Sequence, residues 1–254
     1  MQAILLSGLV IFFSFTLEAI TGFGCTVMAV PFVTALLGMH DGVVILTVLS
    51  MLLALYITIR NFKYIDFKHF LVIVLLMLPG LFVGRYFQNT FNTKVLKIIL
   101  AVFIMMVSSF KLVKFFLDKN FQDNKKNKTN ANSNVNSNVK WYSYVALVLS
   151  GIIHGMFSSG GPLVIIYAAN AVKEKNSFRA TLCLLWTVLN SILCISYLTD
   201  GSINVDTGKI MLYLLPFMLF GIIAGELVAK RVNEKIFTIM VYICLFLTGI
   251  FMLI

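Results

Sequence analysis

The chain has 254 residues, of which 60% are hydrophobic and only 12% charged, whereas a soluble domain has roughly 45–50% and 25%. A water-soluble protein of this size has no means of burying so much apolar surface, so the composition excludes a soluble fold and indicates an all-α integral membrane protein. The net charge of +10 does not indicate nucleic-acid binding, because the Lys and Arg residues lie in the short breaks between apolar runs.

Ten apolar segments follow one another along the chain, five on each side of one polar stretch. A spanning helix needs about 20 residues, so the shortest segment cannot cross alone, and we expect eight to ten segments in which the first pair of each half forms a hairpin of partial helices. We predict helices at residues 3–19, 25–38, 42–59, 69–88 and 95–116, and at 141–157, 162–172, 179–198, 208–229 and 235–254.

The polar stretch is rich in Asn and Lys and has no apolar periodicity, which predicts a mobile loop. It divides the chain into a first membrane repeat at 1–117, a loop at 118–140 and a second membrane repeat at 141–254. The two repeats correspond in sequence. Tyr56-Ile-Thr corresponds to Tyr197-Leu-Thr, Gly84 to Gly225 and Asn92-Thr-Lys-Val to Asn233-Glu-Lys-Ile at an offset of 141, and Gly24 to Gly160 at an offset of 136.

The distribution of positive charge selects a topology. If each hairpin returns the chain to its starting side, the loops of one face carry 16 of the 20 Lys and Arg residues, and the other face carries Arg85, Lys94, Lys97 and Lys209. If each hairpin instead counts as one crossing, the two faces carry 11 and 9 Lys and Arg residues, which is no bias. Cytoplasmic loops are rich in Lys and Arg, so we favour the first count. Its odd number of segments per half makes the repeats inverted and puts both termini outside and the 118–140 loop in the cytoplasm.

The two glycine motifs are the main candidates for a binding site. Residues 22–31 read Gly-Phe-Gly-Cys-Thr-Val-Met-Ala-Val-Pro and residues 158–167 read Ser-Ser-Gly-Gly-Pro-Leu-Val-Ile-Ile-Tyr. A helix broken at membrane depth frees backbone groups that lipid cannot satisfy, and a break in each half indicates the substrate site of a secondary transporter. The helix N-termini that follow present N–H donors that suit an anion. The alternative is that the small residues only permit close helix packing.

We expect the substrate to contact residues at both motifs and two polar residues beyond them. Asn190 lies within an apolar segment and needs a polar partner. Arg179 lies at the mouth of a segment, where it either binds an oxyanion bidentately or acts only as a topology charge. The predicted substrate-binding residues are Thr21, Gly22, Phe23, Gly24, Thr26, Ser158, Ser159, Gly160, Gly161, Pro162, Arg179 and Asn190.

Glu18 and His154 are ionisable residues deep in apolar runs, and they correspond at the offset of 136. Ionisable residues inside a membrane are functional candidates, so Glu18 is a candidate for proton coupling and His154 for binding an anion or relaying a proton. The alternative is structural, with Glu18 bonded to His154 or to free backbone at the break.

No catalytic or cofactor motif accompanies these residues. The cysteines Cys25, Cys183, Cys194 and Cys244 have no CxxC spacing and no neighbouring His, so neither a disulfide nor a zinc site is indicated. The chain also lacks a P-loop, a triad and a phosphate-transfer motif. We therefore expect no enzyme activity, no metal and no cofactor.

The paired motifs resemble the sulfite exporter TauE/SafE family of membrane transporters. The resemblance rests on Gly-Phe-Gly followed by Pro31, on Ser-Gly-Gly-Pro followed by Arg179-Ala-Thr, and on a later Leu-Pro…Gly in each half. It implies a multi-pass plasma-membrane carrier of two repeats for sulfite, sulfonates or related sulfur-containing or organic anions. Many members have more glycines where Cys25, Thr26 and Ser158 stand here. The implied site positions are Gly22, Gly24, Pro31, Gly160, Gly161, Pro162, Arg179 and Asn190.

The sequence thus predicts a secondary carrier or facilitator that moves a small anion across the plasma (cell inner) membrane by alternating access. Its expected partners are that anion and the lipid bilayer. The alternatives are a passive anion channel and, with thinner support, a membrane-embedded enzyme or assembly factor.

Overall fold

The computed structural model describes residues 2–21, 24–125, 141–172 and 174–228, together with residues 246 and 250. Within these ranges the chain forms nine α-helices and no strand, which confirms the predicted all-α fold. The helices are α1 (Gln2–Thr21), α2 (Cys25–Leu37), α3 (Met39–Arg60), α4 (Phe67–Thr90), α5 (Thr93–Lys125), α6 (Trp141–Phe157), α7 (Gly161–Ala171), α8 (Lys175–Thr199) and α9 (Val205–Val228).

Nine of the ten predicted segments correspond to these helices, and the tenth, at 235–254, lies outside the described residues apart from two positions. The largest difference is at the end of α5, which continues to Lys125 and so enters the stretch predicted as a loop. Apolar residues recur there at helical spacing, as in Leu117 and Phe121, and this pattern allows a helix to continue beyond the uncharged run. Residues 126–140 are outside the described part of the chain.

Among the described residues, six helices are long and apolar enough to cross a membrane, namely α1, α3, α4, α5, α8 and α9. The apolar helices α2 and α7 have 13 and 11 residues. At 1.5 Å per residue they extend for about 20 and 17 Å, less than the roughly 30 Å of a hydrocarbon core. Each packs against the helix before it, α2 on α1 and α7 on α6. The chain is therefore a multi-pass membrane protein with a broken hairpin in each half.

The two halves are joined through corresponding contacts at glycines. A Cβ atom added at Gly80 or Gly84 of α4 would collide with carbonyl oxygens of α6, and one added at Gly221 or Gly225 of α9 would collide with carbonyl oxygens of α1. Small residues of this kind let membrane helices approach closely. The carbonyl oxygens met by Gly80, Gly84, Gly221 and Gly225 belong to Val148, Ile152, Phe12 and Thr16, respectively. The glycines of the two halves therefore correspond at the offset of 141, and the residues that they contact correspond at the offset of 136.

The relative directions of the helices follow from side-chain contacts. Thr47, near the start of α3, bonds Tyr197 near the end of α8, and Thr58, near the end of α3, lies 3.3 Å from the Thr187 hydroxyl. The helices α3 and α8 therefore run antiparallel. In contrast, α1 and α9 run in the same direction, because Gly8 contacts Phe217 and the Thr16 hydroxyl donates to the Gly221 carbonyl at 3.1 Å.

Cross-helix contacts also define two ends of the bundle. At the Arg60 end, Arg60 pairs with Glu226 of α9, and the N–H of Asp66 donates to the Thr181 hydroxyl at 2.9 Å. This end therefore holds the loops at 60–68 and 173–179, two of those predicted to carry most of the positive charge. At the Arg85 end, Arg85 pairs with Asp200. Arg85 had been counted with the loop cations, but it lies within α4 and is 6% exposed.

Gly84→Ala should destabilise the protein by about 1–3 kcal/mol, because the new methyl group overpacks the contact between α4 and α6. Gly208→Ala in α9 is the matched control, since a Cβ atom there meets no other atom within 4 Å. Thermal unfolding of the purified protein in detergent measures both variants. Equal loss of stability in the two would contradict this close packing.

Candidate functional site

Residues from both helix breaks line one small enclosed space, which we call the central cavity. Its volume is about 10 Å³, roughly what a single water molecule needs. Gly24 of the first break and Gly161 of the second both contribute, so the two interruptions meet, as the sequence predicts. The cavity is lined by Glu18, Gly24, Thr26, Val27, Ser50, His154, Ser158, Gly161, Trp186 and Asn190.

The first break turns at a glycine and is closed by a carboxylate. Gly24 has a φ of 102°, a left-handed conformation that favours glycine, and it caps the N-terminus of α2. Glu18 is 2% exposed, and its Oε2 accepts a hydrogen bond from the backbone N–H of Cys25 at 3.0 Å. A carboxylate at this position is stabilised by the N–H groups of the helix N-terminus. The α2 terminus expected to face the substrate is therefore already bonded to Glu18.

The second break is held by hydroxyl groups. Ser158 is the one residue other than glycine with a positive φ, 52°, in the described ranges. Its N–H donates to the His154 carbonyl at 2.7 Å, and its hydroxyl bonds that of Thr47 in α3. The Ser150 hydroxyl donates to the Gly160 carbonyl at 2.7 Å. A backbone strained in this way and held from several sides is typical of functional sites.

Four buried polar atoms near the cavity lack a hydrogen-bond partner within the described part of the chain. They are both ring nitrogens of His154, Oε1 of Glu18 and Oδ1 of Asn190. The His154 ring stacks on Trp186, with ring centres 5.2 Å apart, and lies beside the Asn190 amide, whose Nδ2 is 3.4 Å from the Ser50 hydroxyl. Buried polar groups nearly always have partners, so unmatched atoms converging on one cavity indicate that a polar ligand or water binds there.

Most of the predicted site residues with described side chains lie at this cavity. Ser159, Gly160 and Pro162 are buried at the second break without lining the cavity. The side chain of Thr21 and the whole of Gly22 and Phe23 lie outside the described residues. The predicted residues that line the cavity are Glu18, Gly24, Thr26, His154, Ser158, Gly161 and Asn190.

Arg179 does not line the central cavity. It lines a second, more open space of about 280 Å³ at the Arg60 end, which we call the outer cavity. The Arg179 Nε atom is buried and has no partner among the described residues. The other lining residues are Ala19, Tyr56, Ile57, Arg60, Asn61 and Glu226.

Three residues of the central cavity were not predicted: Val27, Ser50 and Trp186. Trp186 and Asn190 are four residues apart, so they share one face of α8. That spacing is a signal for Trp186 that the sequence contains. Val27 has no such signal, and Ser50 is recognisable only as a polar residue in an apolar run.

A family model described as Sulfite exporter TauE/SafE matches residues 7–252. The match includes both helix breaks and every residue of the central cavity. No curated protein and no solved structure matched the chain.

Glu18→Leu should lower stability by about 1–3 kcal/mol, because it leaves the buried N–H of Cys25 without an acceptor. Glu18→Gln should cost less, since its amide oxygen can still accept that hydrogen bond. Thermal unfolding of both variants tests the contact. Equal stability of the two variants would argue against a capping role for Glu18.

Proposed function

Because the chain belongs to the sulfite exporter TauE/SafE family, we propose that it is a secondary carrier that moves sulfite, a sulfonate or a related sulfur-containing or organic anion across the plasma membrane. That the chain is a membrane transporter follows from the family and the six apolar helices. The observation that supports a small anion as the substrate is the set of polar atoms without hydrogen-bond partners where the two helix breaks meet.

The central cavity has the groups that a small oxyanion needs. Thr26 and Ser158 supply hydroxyl groups, Asn190 an amide and His154 a ring N–H. At the start of α7, Pro162 has no N–H, and the N–H groups of Leu163 and Val164 donate to the Gly160 carbonyl. This leaves the N–H of Gly161, the first residue of the helix, which lines the cavity. Since the space matches about one water molecule, a sulfite ion enters only when the lining moves apart. Such movement is the step that a carrier, unlike an open channel, requires in each cycle.

Glu18 links this site to protons. An ionised carboxylate and an anion about 5 Å apart repel each other by about 3 kcal/mol at an effective dielectric constant of 20. Binding of the substrate therefore favours protonated Glu18, whose Oε1 lacks a partner among the described residues and lies at the cavity. We propose that anion and proton cross together, with Glu18 as the group that carries the proton.

The arrangement of the halves supports alternating access. The helices α3 and α8 correspond in sequence through Tyr56 and Tyr197, and they run antiparallel. Equivalent helices that run in opposite directions are what inverted repeats produce. Inverted repeats that rock against each other around a shared site are a common transporter design. We therefore propose that the two repeats are inverted and that each alternately opens the central cavity.

Orientation in the membrane follows from charge. The loops at 60–68 and 173–179 contain Arg60, Lys63, Lys68, Lys173, Lys175 and Arg179. Since Lys and Arg are concentrated in cytoplasmic loops, we propose that the Arg60 end faces the cytoplasm. The end of α1 lies at that end, because Ala19 lines the outer cavity. The N-terminus is then outside, and by the same count so is the C-terminus.

Proteoliposomes loaded with unlabelled sulfite should accumulate labelled sulfite transiently by counterflow. Asn190→Ala should raise the KM by about tenfold to a hundredfold, because it removes a hydrogen bond to a charged ligand. Ser191→Ala is the matched control, since the Ser191 hydroxyl bonds the Thr187 carbonyl of its own helix at 2.7 Å. Thiosulfate and a sulfonate, tested in parallel, define the substrate class. Current without counterflow would identify a channel instead.

Flux through the wild-type protein should increase as the pH falls, since protonation of Glu18 removes its repulsion of the anion. Glu18→Gln should make flux independent of pH, with Asp206→Asn, an exposed carboxylate in the first turn of α9, as the control. Flux of a sulfonate from pH 5 to 8 gives the profile, because a sulfonate stays ionised over this range whereas sulfite itself takes up a proton. If Glu18→Gln kept the wild-type profile, the proposed coupling would be wrong.

A further inference from the structure

An ion pair between a buried arginine and an exposed aspartate closes the Arg85 end. Arg85 of α4 pairs with Asp200 after α8, donates from Nε to the Ser196 hydroxyl at 3.1 Å, and lies over the Tyr197 ring with its guanidinium carbon 4.3 Å from the ring centre. Burial acts to raise the pKa of Asp200, but hydrogen bonds from Ser202 and the charge of Arg85 outweigh it and hold the pKa below its usual value. The pair is therefore charged at neutral pH.

A second ion pair lies at the opposite end and is more exposed. Nη1 of Arg60, at the end of α3, donates to both carboxylate oxygens of Glu226 in α9, at 2.9 and 3.2 Å, and to the Tyr56 hydroxyl at 2.8 Å. The Arg60 and Glu226 side chains are 60% and 38% exposed, against 7% and 32% for Arg85 and Asp200, so the pairs differ mainly in the burial of the arginine. The outer cavity lies directly beside this pair.

The two ion pairs occupy corresponding places with their charges exchanged. At the offset of 141, Arg85 corresponds to Glu226 and Tyr56 to Tyr197. Arg60 corresponds to Gly201, which is next to Asp200 in the chain. Each pair joins one helix or loop of the first half to one of the second. Neither pair can remain intact at its end if the halves move apart there.

The corresponding tyrosines Tyr56 and Tyr197 differ in burial, and this difference shows that the Arg85 end is the more tightly closed. Tyr197 is fully buried, and its hydroxyl donates to Gln88 at 3.3 Å, whereas Tyr56 is 43% exposed and lines the outer cavity. Between the Arg85 pair and the central cavity lies buried Thr47, which is close to Tyr197 and bonds Ser158. On the other side, the neighbouring residues Glu18 and Ala19 of α1 line the central and outer cavities, respectively.

We propose that Arg85–Asp200 and Arg60–Glu226 are the two gates of the transport path, and that they open alternately. This rests on the carrier proposed above. Both ion pairs are formed in the described conformation, but the Arg85 end is the more deeply closed, and the outer cavity lies on the approach to the central cavity from the Arg60 end. Arg179 provides the outer cavity with a guanidinium group, and its positive charge also acts on Glu18. Both gates are therefore closed by an ion pair between an arginine and a carboxylate, although the charged residues do not occupy identical positions in the two halves.

The test is the accessibility of one reporter on each side of the central cavity, in a variant whose native cysteines are replaced by alanine. Thr47→Cys reports the Arg85 side and Asn61→Cys the outer cavity, both labelled by a water-soluble maleimide. Arg85→Gln should raise the labelling rate at Thr47→Cys by at least about tenfold, because it removes the hydrogen bonds between charged groups that hold the closed state, and should lower the rate at Asn61→Cys. Arg60→Gln should change both rates in the opposite sense.

Two controls separate pairing from misfolding. The exchange Arg85→Asp with Asp200→Arg should restore slow labelling at Thr47→Cys. Lys209→Gln, which breaks an exposed ion pair with Asp206 within α9 alone, should change neither reporter. Labelling that does not respond to the ion pairs, in a protein that shows counterflow, would overturn the gates and leave the carrier intact. Reciprocal labelling without flux of any tested anion would support the gates and count against the proposed substrates.

Discussion

The structure depends on one constraint, that a helix interrupted inside a membrane must have its free backbone groups satisfied by the protein itself. Both interruptions meet part of this requirement with side chains. Glu18 accepts from the N–H of Cys25 at the first break, and Ser150 donates to the carbonyl of Gly160 at the second. These bonds fix the breaks in place, and the polar atoms left over beside them face the central cavity.

This arrangement makes stability and binding compete for the same groups. The carboxylate of Glu18 occupies the helix N-terminus that an anion would otherwise use. An anionic substrate must therefore contend with a charge that belongs to the protein. Binding of the substrate at such a site favours protonation of the carboxylate. The position of Glu18 at the helix N-terminus thus provides a structural reason for the proposed proton coupling.

Duplication provides the second organising feature. Corresponding glycines pack α4 on α6 and α9 on α1, while α3 and α8 cross at the centre in opposite directions. The ends differ nonetheless, because the arginine of the pair is buried at the Arg85 end and exposed beside the outer cavity at the Arg60 end. Corresponding halves that differ in closure support the alternating carrier proposed above.

The sequence by itself determined the helices and the positions of the breaks, because hydrophobic length and the two glycine motifs are local features of the chain. It also identified Glu18, His154 and Asn190, since a polar residue in an apolar run is conspicuous without any structure. Only the tertiary structure decided which partners these residues have. The capping of α2 by Glu18, the burial of Arg85 against Asp200 and the place of Arg179 at the outer cavity all depend on how distant helices pack. Contacts between segments far apart in the chain leave no local pattern in the residues that make them.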